Sequence, residues 1–484
     1  MNRNNYPRII ISGLSGDSGK TIVSCGLITS LKTRGLEVSA FKKGPDYIDA
    51  AWLSLSSGKP ARNLDSFMMG FPKVKESFLN KGDKNGVNII EGNRGLFDGV
   101  DGKGTHSTAE LARFLHSPVI IVQDVSKVTR TAAASILGCL NLDPEIKIEG
   151  VILNRTAGDR HIKIVKEAIE GETGIPVLGA VPKLPDRLSF PSRHLGLIMP
   201  DELEGKTGIL SELKYLIEEN VDVSKILELI NNAPGIESLP WIDPISQSGV
   251  SGTGKKKETV SIGYFKDNSF SFYYPENLEM LARAGAELIP LSSTNLDNSV
   301  LLQNPEILDA VYIGGGFPEI NLDDLAANKK LSQVLKTLVE EGLPVYAECG
   351  GLMYLAKKVI WKEKEYHLAG ILPVEIQMHS KPQGHGYTEA IVDRENPFFE
   401  KGTVLKGHEF HYSQIYEFTP DTKTSLKMIR GKGSIDNRDG LVYKNVFASY
   451  IHIHALAAPE WVDGMISCSK KYKQLKNKKM LIEG

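Results

Sequence analysis

Short apolar runs alternate with longer segments of helical periodicity along most of the chain. In the first half, the runs that predict strands lie at residues 9–11, 37–41, 87–90, 118–122, 150–154 and 176–182. Between and after them lie predicted helices, such as the one over 209–219, where apolar residues recur three and four apart. Strands that alternate with helices predict an α/β domain with a parallel sheet covered on both faces.

A second pattern of the same kind begins at residue 260. Its predicted strands lie at 260–264, 309–313, 344–347 and 446–454, and a helix is predicted over 352–358. Before it, residues 233–259 contain three prolines and a run rich in serine, glycine and lysine, which is typical of a linker. We therefore expect two doubly wound α/β domains, over 1–232 and 260–484, joined by a linker over 233–259.

A glycine-rich loop joins the first strand to the first helix and contains Gly13, Gly16 and Gly19. Glycines allow backbone N–H groups to turn inward and, with the positive end of the helix, to hold a polyphosphate. We expect Lys20 to reach the β- and γ-phosphates of ATP, and the Thr21 hydroxyl to ligate Mg²⁺. Five residues separate Gly13 from Gly19 where four are usual, so a glycine-rich turn with a chance lysine is the alternative.

Polar side chains follow two further strands of the predicted sheet, and ligands bind at that edge of open α/β sheets. The set comprises Asp46, Tyr47, Asp49, Glu91 and Asp98. We expect Asp46 and Glu91 to ligate Mg²⁺ together with Thr21, and the other three to bind the substrate. Solvated loops and plain turns are the alternatives for these stretches.

Two more polar stretches suit a ligand. Asn154 ends the strand at 150–154, and an amide in that place can read a purine edge because it donates and accepts at once. Arg193 and His194 follow the strand at 176–182 and are suited to an anionic substrate. A helix N-cap region is the alternative for that pair.

Cys349 lies between a predicted strand and a predicted helix, beside two glycines. A reactive residue in that position is typical of a nucleophile elbow. The N–H groups of the helix start are expected to lower the pKa of the thiol and, with Gly315, Gly316 and Gly350, to form an oxyanion hole. The alternative is an inert buried cysteine.

His452 and His454 lie in the last predicted strand, where they share one face because strand side chains alternate. Either histidine is a candidate for the base that activates Cys349. A pair with this spacing also suits a metal, but the sequence offers no third ligand. The spacing of the polar residues at 408–412 does not indicate a role for them.

The composition excludes several classes of protein. The chain has 484 residues and a formal net charge of −2, which gives no electrostatic reason to expect nucleic acid as a partner. The four cysteines lack a C-x-x-C spacing, so we expect a reducing compartment rather than disulfides or structural zinc. No apolar run could span a bilayer and the polar N-terminus is not a signal peptide, so a cytoplasmic protein without a membrane partner is expected, with a homodimer as a candidate assembly.

Several of these motifs resemble one known family. The loop at 13–21, with its five-residue gap, resembles the phosphate loop of dethiobiotin-synthetase-like enzymes. The segments that resemble cobyrinate a,c-diamide synthases lie at 43–49, 91–99 and 193–197, and those that resemble the family's class I glutamine amidotransferase domain lie at 315–319, 347–351 and 448–454. The resemblance covers nearly the whole chain. It implies a P-loop NTPase-like domain followed by a flavodoxin-like amidotransferase domain.

The resemblance also implies an activity. This is ATP- and Mg²⁺-dependent amidation of the a- and c-carboxylates of cobyrinate, a corrin, through acyl phosphates and with L-glutamine as nitrogen donor, in cobalamin biosynthesis. It makes Cys349 the nucleophile and His452 the base. Class I enzymes usually carry a glutamate two residues after the base, but His454 stands there, so a Cys–His dyad is expected.

Other functions stay open. The sister enzyme that amidates Ni-sirohydrochlorin on the route to coenzyme F430 shares these motifs. Cobyric acid synthase fits less well, because the segment at 46–49 fits the a,c enzyme better. A phosphate-loop partitioning ATPase would explain the first domain alone and would leave Cys349 and His452 without a function.

Overall fold

The computed structural model describes residues 3–184, 192–193, 196–237, 259–294 and 300–483. Contacts among these residues divide the chain into two compact units, Met1–Trp241 and Ile242–Gly484. Most of the predicted linker and the predicted site residue His194 lie outside the described residues, so both stay predictions.

The first unit is built on a parallel sheet. Its strands are β2 (Arg8–Gly13), β3 (Val38–Lys43), β4 (Arg62–Leu64), β5 (Val87–Glu91), β6 (Val119–Asp124), β7 (Ile148–Thr156) and β8 (Val177–Pro182). They lie in the order β4-β3-β5-β2-β6-β7-β8, and neighbouring strands are parallel. The order confirms the predicted α/β fold, and β2, which leads into the glycine loop, is central and buried.

Short antiparallel pairs and helices complete this unit. The pairs are β1 (Arg3–Asn4) with β11 (Ile236–Glu237), and β9 (Ser192–Arg193) with β10 (Gly196–Leu197). The helices are α1 (Lys20–Thr33), α2 (Tyr47–Ser57), α3 (Ser66–Lys81), α4 (Thr108–Phe114), α5 (Arg130–Leu142), α6 (Asp159–Thr173), α7 (Lys206–Asn220) and α8 (Val223–Asn231). Helix α1 packs against α2 and α7, and its first turn presents Lys20 and Thr21 at the carboxyl end of β2.

The second unit contains a mixed sheet and a smaller second sheet. Its strands are β12 (Val260–Phe265), β13 (Ala286–Leu291), β14 (Ala310–Ile313), β15 (Val345–Glu348), β16 (Ala356–Trp361), β17 (Lys364–His367), β18 (Leu372–Met378), β19 (Gly384–Val392), β20 (Val404–His411), β21 (Ser413–Phe418), β22 (Lys423–Arg430), β23 (Arg438–Tyr443), β24 (Val446–Ser449) and β25 (His452–Ile453). The mixed sheet has the order β13-β12-β14-β15-β24-β23-β22-β19-β20-β25, and the smaller one β17-β16-β18-β21.

The strands from β13 to β24 in the mixed sheet pair in parallel, and those from β24 to β25 are antiparallel. The helices of this unit are α9 (Pro275–Arg283), α10 (Val300–Gln303), α11 (Leu322–Ala327), α12 (Lys329–Glu340), α13 (Gly350–Leu355) and α14 (Pro459–Glu483). Helix α14 packs against β12 and β14. The parallel part is the predicted α/β layer, and it carries Cys349 between β15 and α13.

The predicted helix over 352–358 is wrong beyond Leu355. Helix α13 ends there, and Ala356 begins β16, which pairs with β17 and β18. Apolar residues at 352, 355, 356 and 359 keep a helical spacing, which explains the error. Strand pairing decides the outcome, since it buries Val359 completely and uses the β-branched residues at 359 and 360 in a sheet.

The single strand predicted over 446–454 is also wrong. Strand β24 ends at Ser449, and β25 is a separate strand that pairs with β20. At the break, the Tyr450 N–H donates to the side chain of Asp439, a residue of β23, at 3.0 Å. Because β24 and β25 adjoin in sequence but lie at different places in the sheet order, the antiparallel part must curve back to bring β20 beside His452.

Candidate functional site

The glycine-rich loop after β2 closes around the side chain of Lys20. The Lys20 Nζ donates to the Ser15 carbonyl at 2.9 Å and to the Ser18 hydroxyl at 3.3 Å. Gly19 ends the loop with a φ of 95°, a conformation that side-chain-bearing residues rarely adopt. The loop therefore holds a buried ammonium group at the start of α1, which is an arrangement suited to phosphate.

Asn154, near the end of β7, forms a hydrogen bond with this loop. Its Nδ2 donates to the Ser18 carbonyl at 2.8 Å, and a Cβ at Gly19 would lie 2.1 Å from the same nitrogen. The amide thus has a structural contact that the sequence did not indicate. Its predicted contact with a purine stays a prediction.

Two groups predicted to ligate Mg²⁺, Thr21 and Glu91, meet Asp49, which was predicted to bind the substrate, around a lysine. The Thr21 hydroxyl donates to Glu91 Oε1 at 2.9 Å, and Asp49 Oδ1 lies 3.4 Å from the same hydroxyl oxygen. The Lys42 Nζ lies 2.6 Å from Asp49 Oδ2 and 2.7 Å from Glu91 Oε1. Sequence reasoning missed Lys42 as a site residue, although a charged residue at the end of an apolar strand was a signal.

The electrostatics of this cluster follow from burial. Burial opposes the charge on Lys42, but Asp49 and Glu91 outweigh it and raise the pKa of that lysine. Burial raises the pKa of Glu91, and Lys42 opposes the rise. Each of the two buried side chains therefore favours the charged form of the other and opposes the effect of burial.

The other predicted polar residues of this unit lie at a helix cap, a helix start, a turn and a strand. The Asp46 side chain caps α2 by accepting from the Asp49 N–H at 2.8 Å, and burial raises its pKa to about 7. Tyr47 is the first residue of α2. Asp98 is exposed and accepts from the Gly95 N–H at 2.8 Å. Arg193 is described only by its backbone, which pairs with β10.

Cys349 occupies the turn between β15 and α13 in a strained conformation. Its φ of 45° and ψ of −97° lie outside the regions that residues with a side chain favour. Its N–H donates to the Ser449 carbonyl at 2.7 Å, which ties the turn to β24. A strained backbone of this kind costs about 1–3 kcal/mol and is typical of functional turns.

The predicted lowering of the Cys349 pKa is wrong for this state of the protein. Burial raises the pKa of the thiol, and the charge of Glu319 adds to the rise. The Gly350 N–H contacts the sulfur and acts in the predicted direction, but it is outweighed. The resting group is therefore a thiol, and a base must take its proton before it can attack.

The glycine loop after β14 lies between the nucleophile turn and His452. A Cβ at Gly350 would lie 3.2 Å from the Gly316 nitrogen, and a Cβ at Gly315 would lie 2.4 Å from His452 Cε1. Gly315 is therefore required for the close approach of the imidazole. The structure thus groups Cys349, His452 and all three predicted oxyanion residues.

His452, in β25, and His454, which follows that strand, each lie near a different carboxylate. His452 Nδ1 lies 3.6 Å from Glu348 Oε2, and His454 Nε2 lies 3.5 Å from Glu276 Oε2. No group of three or more His, Cys, Asp or Glu side chains in the described ranges is arranged to hold a metal ion. The histidine pair therefore gains no third ligand there.

The polar cluster at 408–412 divides between two sides of β20. The His408 ring stacks on that of His452 at 4.9 Å between centroids. The His411 ring stacks on Tyr450 at 3.7 Å, and its Nε2 lies 3.6 Å from Glu409 Oε2. Only the first of these contacts reaches the predicted base, which spacing in the sequence could not show.

No described helix has the length and apolar character that crossing a membrane requires.

The sequence model of the CobQ/CobB/MinD/ParA nucleotide binding domain matches residues 9–198. That of the CobB/CobQ-like glutamine amidotransferase domain matches residues 261–460.

Curated relatives match along almost their whole length. A protein of Magnetococcus marinus named cobyrinate a,c-diamide synthase is 42% identical over 455 residues, which cover 94% of this chain and 95% of the relative. Proteins of the same name from Dehalococcoides mccartyi and Archaeoglobus fulgidus are each 38% identical. They cover 97% and 93% of this chain, and 99% and 95% of their own lengths.

Proposed function

Because the chain belongs to the cobyrinate a,c-diamide synthase family, we propose that it is an ATP- and glutamine-dependent ligase that forms amides on a corrin in cobalamin biosynthesis. The proposed reaction is amidation of the a- and c-carboxylates of cobyrinate. The observation that carries the proposal is the strained Cys349 beside the glycine loop and His452, in a chain that also has a glycine-rich loop closed around Lys20.

The second unit is proposed to release ammonia from glutamine. The Cys349 sulfur attacks the side-chain amide carbon, and the thiol proton passes to His452. That proton is then given to the leaving nitrogen, so ammonia departs and a thioester remains. Water hydrolyses the thioester to glutamate and restores the thiol. The N–H groups at Gly315, Gly316 and Gly350 are the candidates to stabilise the oxyanion.

The first unit is proposed to activate the carboxylate. Lys20 and the loop N–H groups hold ATP, whose γ-phosphoryl group moves to a carboxylate oxygen to give an acyl phosphate and ADP. Ammonia then attacks the acyl carbon, forms the amide and releases phosphate. Each amide thus consumes one ATP and one glutamine.

The residues around Lys42 fit Mg²⁺, which prefers oxygen ligands. The Thr21 hydroxyl and the carboxylates of Asp49 and Glu91 converge there, and the buried Glu91 Oε2 has no hydrogen-bond partner among the described residues. When bound, Mg²⁺ would neutralise charge on the β- and γ-phosphates. Asp46 stays a further candidate ligand. The candidates for binding the corrin stay Tyr47, Asp49, Asp98, Arg193 and His194.

The identity of the tetrapyrrole rests on the relatives, whose name specifies cobyrinate. Ni-sirohydrochlorin is the alternative acceptor. A partitioning-type ATPase is a weaker candidate, because it gives no function to the Cys349 turn.

The proposal is tested with Cys349→Ser, since a serine hydroxyl is a far weaker nucleophile than a thiol at neutral pH. We expect it to abolish amidation of cobyrinate with glutamine and to leave amidation with free ammonia. Product is measured by mass spectrometry, with hydrogenobyrinate and Ni-sirohydrochlorin as competing acceptors. Turnover of glutamine at the wild-type rate would remove Cys349 from the mechanism, and a preference for Ni-sirohydrochlorin would change the proposed substrate.

A further inference from the structure

Glu348, the residue immediately before the proposed nucleophile, faces the proposed base. It ends β15, its side chain is fully buried, and its Oε2 lies 3.6 Å from His452 Nδ1. The strained turn at Cys349 follows Glu348 directly, so the carboxylate and the nucleophile are consecutive residues. The sequence suggested a dyad because the place two residues after His452 holds a histidine.

The carboxylate is held in place by donors from three strands. The Tyr312 hydroxyl donates to Glu348 Oε2 at 3.2 Å, and the Tyr346 hydroxyl donates to Oε1 at 3.4 Å. The Ile453 N–H, in β25 next to His452, donates to Oε1 at 3.3 Å. A buried carboxylate with such donors stays in one orientation relative to the imidazole.

The other described rings beside His452 add no charge to it. Burial lowers the pKa of His408, which stacks on His452, well below its ordinary value, so His408 is neutral. Phe272 also approaches His452, at 6.5 Å between ring centroids. Among these neighbours, Glu348 is the group whose charge can stabilise an imidazolium.

We propose that Glu348 is the positioning residue of the glutamine site, orienting His452 and stabilising its protonated form. The proposal rests on the proposed function and gives Glu348 the role that aspartate has in Ser-His-Asp triads. The carboxylate precedes the nucleophile in the chain instead of following the base, so the triad is complete in space although the usual glutamate is missing from the sequence.

The test must separate this role from a structural one, since Glu348 also anchors β25. Glu348→Gln keeps an oxygen that can accept from Ile453 and the tyrosines but removes the charge. Asp309→Asn is the matched control, because Asp309 is a buried carboxylate that accepts from the Ser261 N–H at 2.9 Å and pairs with Lys476. Glu276→Gln tests the other histidine–carboxylate pair, at His454.

The measurement is kcat and KM for glutamine hydrolysis by the full-length protein between pH 5 and 10. Loss of an orienting carboxylate in a triad costs up to about 10⁴-fold in kcat, so we expect Glu348→Gln to lower kcat by about 10²–10⁴-fold with little change in KM. Because the resting thiol is protonated, the base must be neutral to act. The acid limb of the pH profile should therefore move to lower pH when the carboxylate charge is lost.

Further readouts make the outcome decisive. We expect Glu348→Asp to restore part of the kcat and the acid limb, Asp309→Asn to keep the wild-type pH profile, and ammonia-dependent amidation to continue in Glu348→Gln. Alkylation of Cys349 by iodoacetamide, followed by mass spectrometry, should also slow in Glu348→Gln.

The proposal is overturned if Glu348→Gln has the wild-type kcat and profile, if it lowers kcat and Tm without moving the profile, or if the shift is seen in Glu276→Gln instead. Failure of the proposed function is distinct, because then the wild-type protein would not hydrolyse glutamine or Cys349→Ser would still do so.

Discussion

Replacing Lys42 by methionine removes the ammonium group between the carboxylates of Asp49 and Glu91. The Lys42 and Glu91 side chains are 1% and 0% exposed, so the variant leaves a buried carboxylate without its opposite charge. Breaking a buried pair costs about 3–5 kcal/mol, whereas an exposed pair is worth about 0–1 kcal/mol. We therefore expect Lys42→Met to lower the free energy of opening around β5 by about 3–5 kcal/mol at pH 7.

The loss of stability in Lys42→Met is also expected to depend on pH. A carboxyl group whose folded pKa is raised stabilises the fold when protonated, and this contribution is lost as the pH rises through the folded pKa. Burial raises the pKa of Glu91 while Lys42 opposes the rise, so removal of Lys42 raises that pKa further. The deficit of the variant should therefore shrink as the pH falls through the acid range and be full at neutral pH, where Lys42 of the wild-type protein is still charged.

The assay is amide hydrogen exchange in the full-length protein, followed by mass spectrometry on peptides that cover β5. Lys59→Met is the matched control, because Lys59 pairs with Glu37 at the surface, where the side chains are 48% and 69% exposed. Its expected effect is below about 0.5 kcal/mol. Lys42→Met with Glu91→Gln should recover most of the loss. A Lys42→Met deficit no larger than that of the control, or one that grows in acid, would refute the reasoning.

Two other substitutions test the sites separately. Lys20→Ala should remove amidation with either glutamine or ammonia while glutamine hydrolysis persists, because it removes only the ammonium that is proposed to bind the phosphates. Near-wild-type synthesis from ammonia would contradict the phosphate-loop interpretation. Gly315→Ala places a Cβ 2.4 Å from His452 Cε1, so displacement of the imidazole should lower glutamine hydrolysis by about 10²-fold. Gly171→Ala in α6, where a Cβ meets no atom within 4 Å, is its control and should leave hydrolysis unchanged.

The parts of the fold that the sequence predicted correctly are those with a local cause. The apolar run of β2, the glycine at the loop end and the first turn of α1 lie together in the chain, and local patterns determine each. The start of β16 at Ala356 and the break after Ser449 depend instead on which strands become neighbours. Periodicity carries no information on such partners, so the helix over 352–358 and the strand over 446–454 were predicted too long.

The same distinction explains the site residues that sequence reasoning missed. Lys42 and Glu348 are charged residues in buried strands, and each is tolerable only because an opposite or hydrogen-bonding group arrives from elsewhere in the chain. A motif search looks for the third member of a triad at a fixed distance from the base, where this chain has His454. A carboxylate acts on an imidazole through space, however. It can therefore belong to another strand of the sheet, such as β15, as well as to the strand that carries the base. A buried charged residue that no local motif explains is therefore a structural indication of a site residue, and such residues should be the targets of mutagenesis in this family.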